Sequence, residues 1–448
     1  MNIVWFWLVD GQAGPADELL PRRRQPNERA KALCTEGPGG YAGCGLFRFR
    51  RHTLGMDLNT MRITFLVRNI WGIGGTIKTT INTAEALAER GHDVTLVSCI
   101  RNREVPDFDI DPRIDVVSLW DVRKPSEGGE ELSFMDRRRR NRDSYLDEAK
   151  VNNMKESSAL LDHRVKQFMS EVDTDILVTT QVTLNLYAAR YARPDTIVVG
   201  QEHLYLDNYK PPVRKWITSQ YQRLDSIVTI TESDAQAYRK ALPECADRIE
   251  VIPNSVPANA GEPSTQTEPM IMAAGRLAKM KGFNTLIQAF GEVAHLYPEW
   301  GMRIYGRGTE RKRLQQLIGE YGLRGRIKLM GPVSPLDDEW RKASIAAVTS
   351  HYEAFGLVIV EAMSAGLAVV SSAVEHGPIE IIDHDRNGLL FEPKNVEQLT
   401  EALTRLMDDR DLRCRLAEAG RETARYYEPD QVVGLHEELF ERLLKEHA

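Results

Sequence analysis

Cysteine is scarce in this chain: five in 448 residues, at positions 34, 44, 99, 245 and 414. None forms a CxxC, and no histidine stands at metal-ligand spacing from one. That excludes a disulfide framework and a zinc-finger-type site, and predicts free thiols in a reducing, cytoplasmic compartment. Long apolar runs are also missing, so nothing approaches the ~20 residues that a membrane span requires. Charge of one sign is not in excess, since the net is −7 with acids and bases interspersed. A basic footprint for nucleic acid is therefore not expected.

What is present divides by composition. Residues 1–60 lack periodicity and contain PRRRQ, GPGGYAGCG and RFRR. Val4 to Val9 is apolar, but no basic segment precedes it, which makes a poor signal peptide. We expect residues 1–60 to be a disordered extension. From Met61 strand and helix patterns alternate. Ile63–Val67, Val94–Ser98, Ile176–Thr179, Ile197–Gly200, Ile227–Ile230 and Ile249–Ile252 are short Val/Ile runs. Continuous rather than alternating apolar residues imply strands covered on both faces, hence a parallel sheet. Asn254 to Pro269, NSVPANAGEPSTQTEP, has linker composition. The alternation then restarts, with strands at 270–274, 302–305, 327–330, 345–349 and 368–371. Helices are expected at 79–90, 283–296, 310–321, 357–365, 396–408, 411–426 and 431–447. The predicted organisation is therefore an N-terminal Rossmann-like domain over 61–254 and a C-terminal one over 255–428. A final helix over 429–448 would pack back toward the first domain. Ligand in such α/β pairs binds at the carboxyl ends of the strands.

The candidate chemistry sits at those ends. Ser350 to Ser372, SHYEAFGLVIVEAMSAGLAVVSS, holds Glu353 and Glu361 with seven residues between them. Carboxylates in apolar surroundings need partners. Two of them beside a helix N-terminus suit a ligand rich in hydroxyls and carrying phosphate. AGRLAKMKG at 274–282 offers Arg276 and Lys281, a fork and a point charge able to clamp a diphosphate. YGRGTE at 305–310 is another Gly-rich turn. Gln201-Glu202-His203 is a polar triplet at a strand end. Ile70 to Thr80, IWGIGGTIKTT, resembles a phosphate loop, but Ile77 falls where a P-loop needs glycine, so that reading fails. Gly72, Gly74 and Gly75 still permit a ligand to approach the backbone. The run RRRRNR at 137–142 is expected to be a solvated loop, or else a cationic lip for an anionic acceptor or a lipid surface.

Taken in order, GIGGT, GHDV, VIPNSV, GRLAKMKG, the paired glutamates and GPIEII at 377–382 resemble the retaining GT-B glycosyltransferases of family 4. The resemblance covers Met61 to the end, and Thr76 to Thr80, GQEH and GPIEII look similar to members that decorate cell-wall or capsule polymers. It implies an α/β GT-B fold, two Rossmann-like doubly wound parallel-sheet domains facing across a cleft. It implies that Arg276 and Lys281 hold a donor diphosphate approached by Gly74 and Gly75. Glu361 would take the nucleotide ribose. Glu353, with the amides of Ala354, Phe355, Gly356 and Leu357, would take sugar hydroxyls and phosphate. His203 would lie near the anomeric carbon, and the Gly306–Gly308 turn beside the base. Glu353, His203, Arg276 and Lys281 are the expected catalytic set, without cofactor or metal. The implied partners are a nucleotide-sugar donor, UDP-linked by default, and a glycan, anionic polymer or lipid-linked acceptor. Peripheral membrane association at the inner face is compatible with this. Two departures occur: Pro257 replaces a common acid, and Gly366-Leu367-Ala368 replaces Gly-x-Pro. A phosphorylase or epimerase of the same architecture, and an idle nucleotide-sugar-binding subunit, are the competing readings.

Overall fold

The computed structural model describes residues 60–147, 156–259 and 261–448. The expected extension before residue 60, and positions 148–155 of the irregular region 101–155, lie outside the described residues. Two compact units make up the described chain: 60–77 with 88–200 and 210–224, and 78–87 with 201–209 and 225–448.

Thirteen strands are described: β1 (Arg62–Val67), β2 (Asp93–Ser98), β3 (Asp115–Ser118), β4 (Ile176–Thr179), β5 (Ile197–Glu202), β6 (Ser226–Thr229), β7 (Ile249–Val251), β8 (Met270–Ala274), β9 (Gly301–Tyr305), β10 (Ile327–Gly331), β11 (Ile345–Val348), β12 (Ala368–Ser372) and β13 (Leu389–Phe391). The first seven form one sheet in the order β3-β2-β1-β4-β5-β6-β7, and the last six another, β10-β9-β8-β11-β12-β13. All neighbours in the second sheet run parallel. In the first, so do β1–β2, β1–β4, β2–β3, β4–β5 and β6–β7. The strand order turns back between β1 and β4 and between β8 and β11. Those are topological switch points, where the loops at the carboxyl ends diverge and leave room for a ligand.

The helices are α1 (Gly75–Glu89), α2 (Phe134–Arg140), α3 (Ala159–Glu171), α4 (Val182–Tyr191), α5 (Pro211–Gln220), α6 (Glu232–Ala241), α7 (Phe283–Val293), α8 (Arg311–Glu320), α9 (Asp337–Trp340), α10 (Leu357–Ser364), α11 (Gly377–Ile381), α12 (Val396–Asp408), α13 (Arg410–Arg425) and α14 (Pro429–His447). Helix α1 begins four residues before its apolar stripe predicts, directly on Gly75. Strand β3 escapes a hydrophobic-run search because it is a short edge strand whose Asp115 and Val116 are exposed.

The arginine run is helical up to Arg140, where a loop is predicted. Ser133 caps α2, its hydroxyl accepting from the Asp136 amide. Arg137 to Arg140 fill the last turn, where cations favour the helix dipole.

In the Pro/Ser/Thr-rich segment 254–269 the described residues have the irregular backbone their composition predicts, but they are pinned. The Val256 amide donates to Tyr427 O at 2.7 Å. Gln266 is buried, its side-chain amide reaching Gly366 O at 2.5 Å. Arg413 donates to Gln266 O at 3.1 Å. Leu286, Phe290, Met302, Ile304, Leu399 and Leu403 form the core on one face of the second sheet. Met272, Ala346, Ile359, Val360 and Met363 fill the other. Burial on both faces explains the unbroken apolar strands.

Candidate active site

Register places the site. Ala274 pairs with Tyr305, and Ile345 with Ile271, so β8, β9 and β11 end together. Their loops carry Arg276 to Lys281, Gly306 to Gly308, and Thr349 to Gly356. Close backbone packing locks these loops. The Gly275 amide donates to Tyr305 O at 3.0 Å, the Leu277 amide to Arg307 O at 2.9 Å, and the His351 amide to Met280 O at 2.7 Å. A Cβ on Gly306, at φ 137°, would lie 1.8 Å from Gly275 O. On Gly308 it would lie 2.2 Å from Leu277 O, and on Gly282, at φ 62°, 2.0 Å from Thr349 O. Only glycine tolerates such approaches.

Lys281 and Glu353 are brought together as a tight ion pair, and both side chains are largely buried. The Ser350 hydroxyl donates to the same carboxylate oxygen at 2.9 Å. Arg276 stands at the start of the loop that carries Lys281. Partial burial lowers its pKa from the usual value, which leaves a guanidinium still charged at any physiological pH.

Gly356, at φ 100°, opens α10. The Ile359 amide bonds back to Gly356 O at 2.8 Å. The amides of Leu357 and Val358 belong to the first turn, where no earlier helical carbonyl exists to accept them. They form a local positive pole adjoining Glu353 in sequence. Phe355 is the exception within this stretch. Its ring is buried and packs edge-on to Tyr427 at 5.4 Å, so its side chain belongs to the core and only its backbone faces the loop. Gly377 lies against the Phe355 carbonyl too closely for any Cβ, at 1.7 Å, which explains the GPIEII segment physically.

Glu361 lies one turn further along α10 and is paired with Lys78 Nζ at 2.8 Å. Lys78 was not foreseen as a site residue. The signal was available: it is the cation in the first turn of the helix after the glycine loop. Ser350 was likewise not foreseen, since a serine three residues before a glutamate is ordinary in sequence.

His203 follows β5 and lines a small polar cavity with Thr79, Gln201, Asn254 and His436. Both its ring nitrogens are buried, with the Asn254 side chain alongside. Burial pushes its pKa down to about 4. His436 of α14 shares the direction and the value for the same reason. Its Nδ1 lies 3.1 Å from Val432 O, which assigns the proton there and leaves Nε2 to accept from Gln201 at 3.0 Å. Both imidazoles are therefore neutral near pH 7. Gly74 and Gly75 belong to the first unit, at the switch point beside β1. A Cβ on Gly74 would meet nothing within 4 Å. Among the described residues no group of three His, Cys, Asp or Glu side chains could hold a metal ion.

This arrangement combines three cations, two carboxylates and a helix N-terminus around the carboxyl ends of the second sheet's strands. Comparison with known proteins gives the family. Residues 73–259 match the model for Glycosyltransferase Family 4, and 258–423 the model for Glycosyl transferases group 1. An exopolysaccharide phosphotransferase of Streptomyces coelicolor is 33% identical over 86% of this chain, but the match spans only 41% of that relative. A poly(glycerol-phosphate) alpha-glucosyltransferase of Bacillus subtilis is 28% identical over 51% of this chain and 35% of its own length. The chain thus covers less than half of either relative. Among solved structures, HepE of Anabaena in complex with UDP superposes with a TM-score of 0.67 at 18% identity, covering 85% of this chain and all of that one. That likeness shows the fold. With two adjoining family models spanning residues 73–423, the chain belongs to the family 4, group 1 glycosyltransferases of GT-B fold.

Proposed function

We propose that the chain transfers a hexose or N-acetylhexosamine from a nucleotide diphosphate sugar to an acceptor hydroxyl, with retention of anomeric configuration and without a metal. The Lys281–Glu353 pair beside Arg276 and the α10 N-terminus is the observation that carries this reading. An incoming diphosphate would compete with Glu353 for Lys281. Glu353, freed from its cation, would accept hydroxyls of the sugar. Glu361 would take the ribose in the same way, exchanging part of its contact with Lys78. Lys78 would then be available to a phosphate or hydroxyl.

In the reaction, the bond from the anomeric carbon to the diphosphate oxygen breaks, and its electron pair leaves on the diphosphate. The acceptor oxygen bonds the anomeric carbon from the same face. Its proton passes to the departing phosphate oxygen. Arg276, Lys281 and the α10 amides stabilise the charge that develops there, which is worth more in a partly desolvated site than in water. Neutral His203 would position the sugar, since an unprotonated imidazole adds no charge near an oxocarbenium-like centre.

UDP is the favoured nucleotide because solved neighbours of this fold hold it. A phosphate-rich or other polysaccharide acceptor is supported by the named relatives. The test is a thermal-shift panel with UDP, GDP, ADP, dTDP and their common sugars, run in EDTA. Stabilisation by UDP and a UDP-sugar, lost in Lys281→Ala, is expected. A flat panel from folded protein overturns the donor site. Proton NMR of the product bond decides retention.

A further inference from the structure

His376 stands in backbone that a side chain rarely adopts, at φ 74° and ψ −133°. Strain of this kind persists only where the surrounding contacts over-determine it, and it gathers at functional sites. The residue ends the loop after β12, directly before α11. Its neighbour Gly377 presses on the Phe355 carbonyl, so this loop adjoins the one that carries Glu353. The imidazole is buried and stacks on Tyr205, with ring centroids 3.9 Å apart. Tyr205 packs in turn on Tyr352, the residue before Glu353, at 4.7 Å. His376 Nδ1 lies 2.7 Å from the Ser233 hydroxyl, which also reaches Glu380 Oε1. A carboxylate can only accept, so Ser233 donates to Glu380, and its oxygen accepts from Nδ1–H of His376. Glu380 is itself held at the start of α6 by the amides of Glu232 at 2.8 Å and Ser233 at 3.0 Å. All these residues belong to the second compact unit. The relay fixes one tautomer and leaves a lone pair on Nε2. That nitrogen has no hydrogen-bond partner among the described residues and is not sealed from solvent. Burial lowers the imidazole pKa, outweighing the opposing charges of Glu375, Glu380 and Asp207, so the ring is neutral near pH 7.

We infer that His376 Nε2 accepts a hydrogen bond from a hydroxyl of the acceptor, and so helps choose which hydroxyl is glycosylated. This rests on the transferase reading above. A nitrogen that can only accept requires a ligand that donates. An ionised diphosphate only accepts, and the carboxylates of Glu375, Glu380 and Asp207 disfavour it further. A sugar or polyol hydroxyl meets both conditions. The hydrogen-bonded and stacking supports of His376 are α6 and the loop after β5, which bring no cation to the diphosphate clamp. The contact therefore stands apart from Arg276 and Lys281, on the side of the sugar and its acceptor. The relay to Glu380 polarises the ring and strengthens Nε2 as an acceptor. That gives the strained backbone a use, since it turns this one side chain toward Ser233.

The experiment uses the full chain. Long-range nitrogen–proton NMR of the histidine side chains at neutral pH reads the tautomer, with the His376 signal identified by its loss in His376→Gln. A proton on Nδ1 and none on Nε2 is expected, and the reverse overturns the relay. The UDP-sugar that stabilises the protein is then supplied with poly(glycerol phosphate) as the hydroxyl probe, and transfer to it is compared with hydrolysis by water. In His376→Ala and His376→Gly the acceptor KM should rise about ten-fold, the loss of one hydrogen bond, and transfer should fall relative to hydrolysis by a similar factor. A merely structural role would lower both reactions alike. Ser233→Ala releases the tautomer and should raise the acceptor KM about three-fold. His376→Gly should melt above His376→Ala, because glycine is unstrained at this φ, and that separates strain from function. The UDP-induced thermal shift should persist in all three. An unchanged acceptor KM in both His376 variants overturns the proposal, as does loss of the UDP shift, which would move His376 to the donor. A wild type that hydrolyses the UDP-sugar but transfers nothing to the probe overturns it too. A wild type that UDP does not stabilise refutes the donor reading itself, and this inference falls with it.

Discussion

Glycine-rich turns follow β1 in the first sheet and β8 and β9 in the second, and they use glycine for opposite reasons. The turns after β8 and β9 need it because backbone meets backbone. A Cβ on Gly306 or Gly308 would enter the carbonyl of Gly275 or Leu277. The turn after β1 has no such crowding, since a Cβ on Gly74 would reach open space and its φ is not left-handed. In the first case glycine builds the wall of a site. In the second it leaves open space. A motif search treats these glycines alike, yet the consequences of replacing them should differ in kind.

The largest expected effect comes from Gly306→Ala. Left-handed strain plus a backbone clash should cost about 3–5 kcal/mol, read as a drop in the urea midpoint. A variant of wild-type stability would show that the packed turn can relax, and the contrast would collapse. Next comes Lys281→Ala on the same wall. Stability should fall somewhat, since Glu353 loses its cation, and turnover should fall about 10²-fold, as when one electrostatic stabiliser is removed. Arg276→Ala should behave alike. Near-normal turnover in both would remove the diphosphate from this edge.

A third strand end, that of β5, extends the comparison to pH. His203 and His436 are buried neutral with pKa values pushed down to about 4. Their folded values lie below the unfolded ones, near 6.5. The stability they contribute is therefore present above pH ~6.5 and lost as pH falls toward 4, by at most about 1.4 kcal/mol per pH unit for each. Asp234 has the opposite sign. Burial pushes its carboxyl up to about 7, with one oxygen accepting from the Leu206 amide at 2.8 Å. Its contribution is full below pH ~4 and lost as pH rises to 7. Urea midpoints against pH should show an acid limb that is reduced in His436→Gln and a neutral limb flattened in Asp234→Asn. A wild-type profile that is flat between pH 4 and 7, and unchanged in both variants, would mean that water reaches these groups.

The smallest effect expected is that of Gly74→Ala on stability, within about 1 kcal/mol and of either sign. If Gly74 borders the donor as proposed, the variant's donor KM should rise. An unchanged KM would make Gly74 a plain turn residue.

Much of this was legible beforehand because its causes are local. The strands from Ile63–Val67 to Ala368–Ser371 announce themselves as continuous apolar runs, and a strand buried on both faces cannot be written otherwise. Arg276, Lys281, Glu353 and Glu361 could be nominated because charged side chains at strand ends have few structural uses. Helix α2 was less legible. Four consecutive arginines look like solvated loop until the Ser133 cap and the Asp136–Arg164 contact are seen, and the latter joins residues 28 apart. Phe355 could be placed by sequence in the donor loop, but not assigned to the core, because that depends on Tyr427.

The sequence by itself determined the parallel α/β architecture, the family and the residue types at the strand ends, since periodicity and short motifs are properties of neighbouring residues. The tertiary structure alone decided the partners. Lys281 faces Glu353 and Lys78 faces Glu361 because parallel strands end in register and helices return over them, bringing together residues 72 and 283 positions apart. Charge pairing over such separations follows from chain topology, and no local pattern encodes it.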